Sequence, residues 1–152
     1  MRFITTTAIV VSLVSSSFAS TVGVVSRCNQ NLYLLVSNST VAGAPIALAP
    51  NGTYSQPLVG SGNQFGVAKD SDYYATTTAK FTFGFSVATD SHLTYWSIGT
   101  VNGDPFAGTI GGSGFLVAPS DSTCSIANTF DGQVHTCTDA VRQLDLAVFD
   151  RD

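Results

Sequence analysis

The chain has 152 residues, with six Lys and Arg against ten acidic residues, every one of them Asp, and a formal net charge of −4. So few cations exclude a nucleic-acid backbone as the main ligand, because such binding needs Lys and Arg to displace counterions, and no segment carries the basic amphipathic face that seeks anionic membranes. The absence of Glu and the scarcity of Lys and Met count against helices, whereas the abundant Thr, Ser, Val, Phe and Gly suit strands joined by tight turns.

At the N-terminus, Arg2 precedes the short apolar run Ala8 to Val14, which ends in Ser17-Phe18-Ala19. This is the pattern of a secretory signal peptide cleaved after Ala19. The run falls well short of the roughly 20 apolar residues that a spanning helix needs. The expected organisation is a signal peptide over 1–19 and one domain over 20–152, secreted to the extracellular space or the cell wall.

Strand signals follow along the chain. Asn31 to Val36 is apolar almost throughout, as in a strand buried on both faces, and Asn51-Gly52 after Pro50 marks a turn. Phe65-Gly66-Val67 is a short strand. The clearest alternation runs from Phe81 to Val87, with Phe81, Phe83, Phe85 and Val87 on one face and Thr82, Gly84 and Ser86 on the other. Leu93 to Ile98 is strand-like, and Ala88 to Ser91 suits a hairpin connection. Asn102 to Gly114 reads as loop. Phe115 to Ala118, Gln133 to Cys137 and Leu144 to Val148 complete the strands, and Asp139 to Gln143 could hold one helical turn. Short strands at this spacing predict an all-β sandwich or barrel.

Three cysteines lie in the mature chain, and in an oxidising compartment cysteines pair. Cys124 and Cys137 are close in sequence and flank a segment that can turn, so they are the expected disulfide. Cys28 is then left over, as an exposed thiol, a bridge to another chain or a small buried side chain. Asn38-Ser39-Thr40 and Asn51-Gly52-Thr53 are glycan acceptor triplets, both beside expected turns.

The order of several motifs is familiar. Cys28 is followed by Asn31 to Leu34, then Leu48 to Pro57, Tyr95-Trp96, Gly103-Asp104-Pro105-Phe106-Ala107-Gly108, Pro119 to Cys124, Val134 to Cys137, and the strand Leu144 to Val148. This pattern resembles the fungal yeast-phase-specific secreted protein family, whose members look like small thaumatin-like proteins. The resemblance runs from about Val25 to Val148 and implies an antiparallel β-sandwich. It departs at the end: similar proteins usually finish in a cysteine after the last strand, a natural partner for the first, and Phe149 to Asp152 has none.

Larger thaumatin-like proteins carry an acidic cleft linked to glucan binding. The resemblance places three of its carboxylates at Gly84, Ser97 and Asn102, none of which is acidic here. Asp70, Asp72, Asp90 and Asp104 could supply the carboxylate pair of a glycosidase, but any acidic surface supplies such pairs, and Asp before Pro is more often a turn residue. His92 and His135 sit in no metal-ligand motif, and no Gly-x-Ser-x-Gly elbow is present. The expected start at Ser20 lacks the N-terminal His that a secreted copper oxygenase would show. No metal or cofactor is therefore implied.

Tyr73, Tyr74, Tyr95 and Trp96 could offer rings to a sugar. Tyr95 and Trp96 are neighbours in one strand and must point to opposite faces; Trp96 is assigned to the core, leaving Tyr95, with Asp104, as the candidate binding residue. Two functions stand at this point. One is a non-enzymatic binding or interaction protein whose partner is a polysaccharide or a host protein, as for an effector. The other is a divergent β-glucan-active enzyme, which the lost cleft acids disfavour.

Overall fold

The computed structural model describes residues 20–107, 114–122, 124–138 and 142–149. The expected signal peptide, and residues 139–141 of the expected helical turn, lie outside these; Gln143, at the end of that turn, belongs to a strand. Among the described residues the elements are ten strands: β1 Thr21–Arg27, β2 Leu32–Ser37, β3 Ile46–Leu48, β4 Thr53–Pro57, β5 Asn63–Ala68, β6 Lys80–Ala88, β7 Leu93–Val101, β8 Phe115–Pro119, β9 Val134–Thr138 and β10 Gln143–Phe149.

They form a four-stranded sheet in the order β4-β1-β10-β8 and a six-stranded sheet in the order β3-β2-β5-β6-β7-β9. The expected all-β sandwich is the observed fold. One pairing differs from its antiparallel rule: β1 and β10 run parallel, with Val22 opposite Leu144 and Val24 opposite Leu146. Alternation within a strand cannot show this, because it fixes which face is buried and not which distant strand lies alongside.

The two inner faces share one core. Val22 and Val24 of β1, Leu144, Leu146 and Val148 of β10, and Phe115 and Val117 of β8 meet Phe65, Phe81, Phe83, Phe85, Trp96 and Ile98 from the larger sheet. Rings pack edge-on or tilted, with centroids 5.2 Å apart for Phe65–Phe85, 4.8 Å for Phe81–Phe115 and 6.1 Å for Phe83–Trp96. Each such side chain stabilises the fold by about 1.5–3 kcal/mol through burial. The alternation from Phe81 to Phe85 is thus the alternation between this core and the opposite, outer face of the larger sheet.

Candidate functional site

The register of the larger sheet lays out its outer face as rows. Ser37, Gln64, Gly84, Ser97 and Val134 form one row across five strands. Ser86, Tyr95 and Thr136 form the next on one side. Leu35, Gly66, Thr82 and Gly99 form the next on the other. Small or hydroxylated side chains dominate where β6 meets β7, so the sheet there is low and flat.

Half of this face is roofed. Residues 69–79, between β5 and β6, fold back so that Tyr73 packs with Leu35 and Ala68 in a small second cluster. The Tyr73 phenol lies directly on Gly66, where a Cβ would collide with its hydroxyl. Burial pushes the Tyr73 phenol pKa up, with Tyr74 adding to the effect. Asn102, in left-handed conformation at φ 57°, ties the roof down: its amide donates to the Thr76 and Thr78 carbonyls, at 2.5 and 3.2 Å.

The other half is open. Over Gly84 lies a groove of about 340 Å³, lined by Gly62, Asn63, Gln64, Gly84, Ser86, Tyr95, Ser97 and Val134, with the edges of Phe85 and Trp96. A Cβ on Gly84 would stand 3.5 Å from Ser97 Oγ, an ordinary contact, so the space above Gly84 is real. Gly62 N–H donates to Ser86 Oγ at 2.8 Å and Asn63 Nδ2 to the Val59 carbonyl at 2.9 Å, fixing the rim. No lining residue is charged; the groove offers hydroxyls, amides and the half-buried Tyr95 ring.

The residues singled out in the sequence are thereby sorted. Gly84 and Ser97 face each other across β6 and β7 on the groove floor, whereas Asn102 belongs to the roof. Tyr95 lines the groove and Trp96 is buried in the core. Trp96 stacks on His135 with centroids 4.0 Å apart, and His135 Nε2 lies 3.2 Å from the Asp131 carboxylate. Tyr74 is exposed and donates its hydroxyl to the Gly43 carbonyl. His92 occupies the β6–β7 turn at φ 54°.

Asp104 is not in the groove. Its carboxylate accepts the Phe106 N–H at 2.8 Å, forming the turn that inserts Phe106 into the core beside Phe81. Burial raises the Asp104 pKa, opposed by that hydrogen bond and by Lys69. Cys124 and Cys137 form a disulfide with Cα atoms 4.8 Å apart, and Cys28 is buried with its sulfur 3.8 Å from the Val148 carbonyl. Asn38 and Asn51 are both exposed. Gln64, Asn63 and Ser86 carry no local sequence signal as site residues; the register unites them from far apart in the chain.

Two packed β-sheets with this strand order, a parallel seam between first and last strands, and a half-roofed outer face define a small thaumatin-like sandwich. The chain belongs to the Bys1 family, described as Blastomyces yeast-phase-specific protein, whose model matches residues 9–145. No curated protein sequence matches the chain. Among solved structures, it is similar to the protein elicitor MoHrip2 from Magnaporthe oryzae, at 18% identity and TM-score 0.68 over 86% of this chain and 98% of that one. It is also similar to the thaumatin-like xylanase inhibitor TLXI, at 12% identity and TM-score 0.50 over 84% of this chain and 97% of that one. These likenesses establish the fold.

Proposed function

We propose that this is a secreted, non-catalytic binding protein of a fungus, with a mature chain beginning at Ser20, that engages an uncharged polysaccharide through the Gly84 groove. The observation that carries this reading is the groove's lining. Its floor pairs Gly84 with Ser97 where hydrolysis would need ionisable groups: one to protonate the leaving oxygen, another to act as base or nucleophile. Gly84 has no side chain and the Ser97 hydroxyl is too weak an acid. Hydroxyl and amide groups around one aromatic ring suit a neutral, polyhydroxylated chain instead. The disulfide supports an oxidising compartment. The similar structures, an elicitor and an enzyme inhibitor, support an interaction role outside the cell.

The test is co-sedimentation with insoluble β-glucan and chitin, paired with reducing-sugar analysis of the supernatant. The protein is expected to sediment without releasing sugar. Gly84→Leu, which fills the groove from a position with room for a side chain, should abolish sedimentation while leaving the melting temperature near that of the parent. Sustained sugar release would refute the non-catalytic reading. Undiminished sedimentation of Gly84→Leu would refute the groove, and failure to sediment at all would transfer the interaction role to a protein partner.

A further inference from the structure

The two glycan triplets sit differently with respect to the groove. Asn51 lies at the turn before β4, on the sheet that does not carry it. Asn38 directly follows Ser37, the end of the row that continues through Gln64 to Gly84. Two strand spacings, about 10 Å, separate that end from Gly84. Asn63 lines both the Gly84 groove and the adjoining hollow that Asn38, Val41 and Gln56 enclose. Ser39, the middle residue of the triplet, packs on Gly62 of the groove rim: a Cβ built there would stand 3.2 Å from the Ser39 Cβ.

The triplet is also locally ordered. Asn38 Oδ1 accepts from Thr40 N–H at 2.9 Å, Thr40 Oγ1 at 2.9 Å and Val41 N–H at 2.8 Å. These partners are at most three residues away, so the turn can form in a nascent chain before the sheets assemble. The Asn38 side chain is exposed, and all three hydrogen bonds use its oxygen, leaving Nδ2 for modification.

We propose that Asn38 is N-glycosylated and that its glycan lies across the near end of the Gly84 groove, where it competes with an external polysaccharide. The transfer joins Asn38 Nδ2 to the anomeric carbon of a lipid-pyrophosphate-linked oligosaccharide. The anomeric carbon–oxygen bond breaks, the lipid pyrophosphate leaves, and the amide loses one proton; nothing is oxidised or reduced. The competition rests on the binding reading given above, because a groove suited to neutral sugars receives a neutral sugar tethered at its rim.

The experiment uses the full chain made in a eukaryotic secretory host. Glycopeptide mass spectrometry reads occupancy at Asn38. Amide NMR shifts are compared before and after an endoglycosidase trims each glycan to one sugar, with no ligand added. Trimming is expected to move Gln64, Gly84 and Ser97. An unmodified Asn38, or shift changes confined to residues 36–43 and the surroundings of Asn51, would overturn the proposal whether or not any polysaccharide binds. Sedimentation with β-glucan and chitin should then rise several-fold on trimming, and likewise in Thr40→Val, which removes the hydroxyl the glycan triplet requires but keeps the two main-chain hydrogen bonds to Asn38. Asn51→Gln should leave it unchanged. Equal sedimentation of glycosylated and trimmed protein, when Gly84→Leu abolishes it, would overturn the competition and leave the binding reading standing.

Discussion

Replacing Gly66 with Ala drives a methyl group into the Tyr73 phenol. The new Cβ would overlap the hydroxyl and stand 2.9 Å from Cζ, and Tyr73 is a buried side chain with little room to retreat. Either the ring lifts from Leu35 and Ala68 or the β5 backbone shifts. Overpacking of this kind costs about 1–3 kcal/mol. Gly84→Ala, on the same face of the next strand, meets nothing closer than 3.5 Å, and should gain about 0.5–1 kcal/mol from the lower entropy of the unfolded chain. That unfolded-chain gain is common to both variants, so they should differ by the overpacking cost, about 1–3 kcal/mol, or roughly 2–12 °C in melting temperature for a domain of this size. Calorimetry measures that gap, and a spectrophotometric titration supplies a second reading. The Tyr73 pKa, raised by burial in the parent, should fall back toward the ordinary phenol value in Gly66→Ala. Adding Tyr73→Phe removes the hydroxyl but leaves the ring carbon, so it should rescue Gly66→Ala only in part. Equal stability of Gly66→Ala and Gly84→Ala would refute the reasoning that one half of the face is roofed and the other open.

Four more variants probe the fold, besides the Gly84→Leu test of binding. Cys124→Ala, or reduction of the bridge to Cys137, should cost about 3 kcal/mol by loop closure, read as a lower denaturant midpoint with reductant. Asn102→Asp places a carboxylate against the Thr76 and Thr78 carbonyls in place of a donor. It should cost about 1–3 kcal/mol, whereas Ser97→Asp on the groove floor should stay within about 0.5 kcal/mol of the parent; thermal melts compare them. The Asp104 pKa lies above its ordinary 3.8 in the folded chain, so the native state holds that proton more tightly than the unfolded one. Its contribution to stability is present below about pH 4 and is lost as pH rises through the raised folded value. Asp104→Asn keeps an oxygen for the Phe106 N–H and loses the charge. It should gain on the parent at neutral pH and lose that advantage below about pH 4, and urea midpoints showing the reverse trend would contradict the assignment.

The strands legible in the sequence are those with one dry face and one wet face. Phe81 to Phe85 alternates because every second residue meets the opposing sheet, and Leu144 to Val148 alternates for the same reason. β1 carries no local signal, because Thr21 to Arg27 is mostly apolar, holds Gly23 and follows the apolar run Ala8 to Val14 closely, so no alternation sets it apart. β3 and β4 are short edge strands with mostly exposed or half-buried residues and little apolar content to signal them. The parallel seam joins residues more than a hundred positions apart, which no local pattern can carry. The site was legible only as a subtraction: Gly84 and Ser97 stood out as places where a related cleft would be acidic. That they face each other, and that Gln64 and Val134 extend their row, follows from register alone. Asp104 reads both ways in the sequence, as a turn residue before Pro105 and as a binding candidate, and its carboxylate caps the turn that seats Phe106.

The groove is a neutral strip on an acidic protein. Among the described residues, Asp70, Asp72, Asp90, Asp104, Asp121, Asp131 and Asp145 all stand elsewhere, and none lines the groove. Residues directly opposite on adjacent antiparallel strands hold their Cβ atoms about 4.5–5.5 Å apart, so the Gly84–Ser97 pair keeps the backbone geometry on which two carboxylates could be mounted. Two such carboxylates would repel each other, and one would have its pKa raised; that is useful for acid–base work and a burden for simple binding. With glycine and serine there, the floor is low, uncharged and indifferent to pH, and a neutral ligand can lie flat without displacing counterions. Net negative charge of the chain works against self-association, and the uncharged strip carries none of that charge.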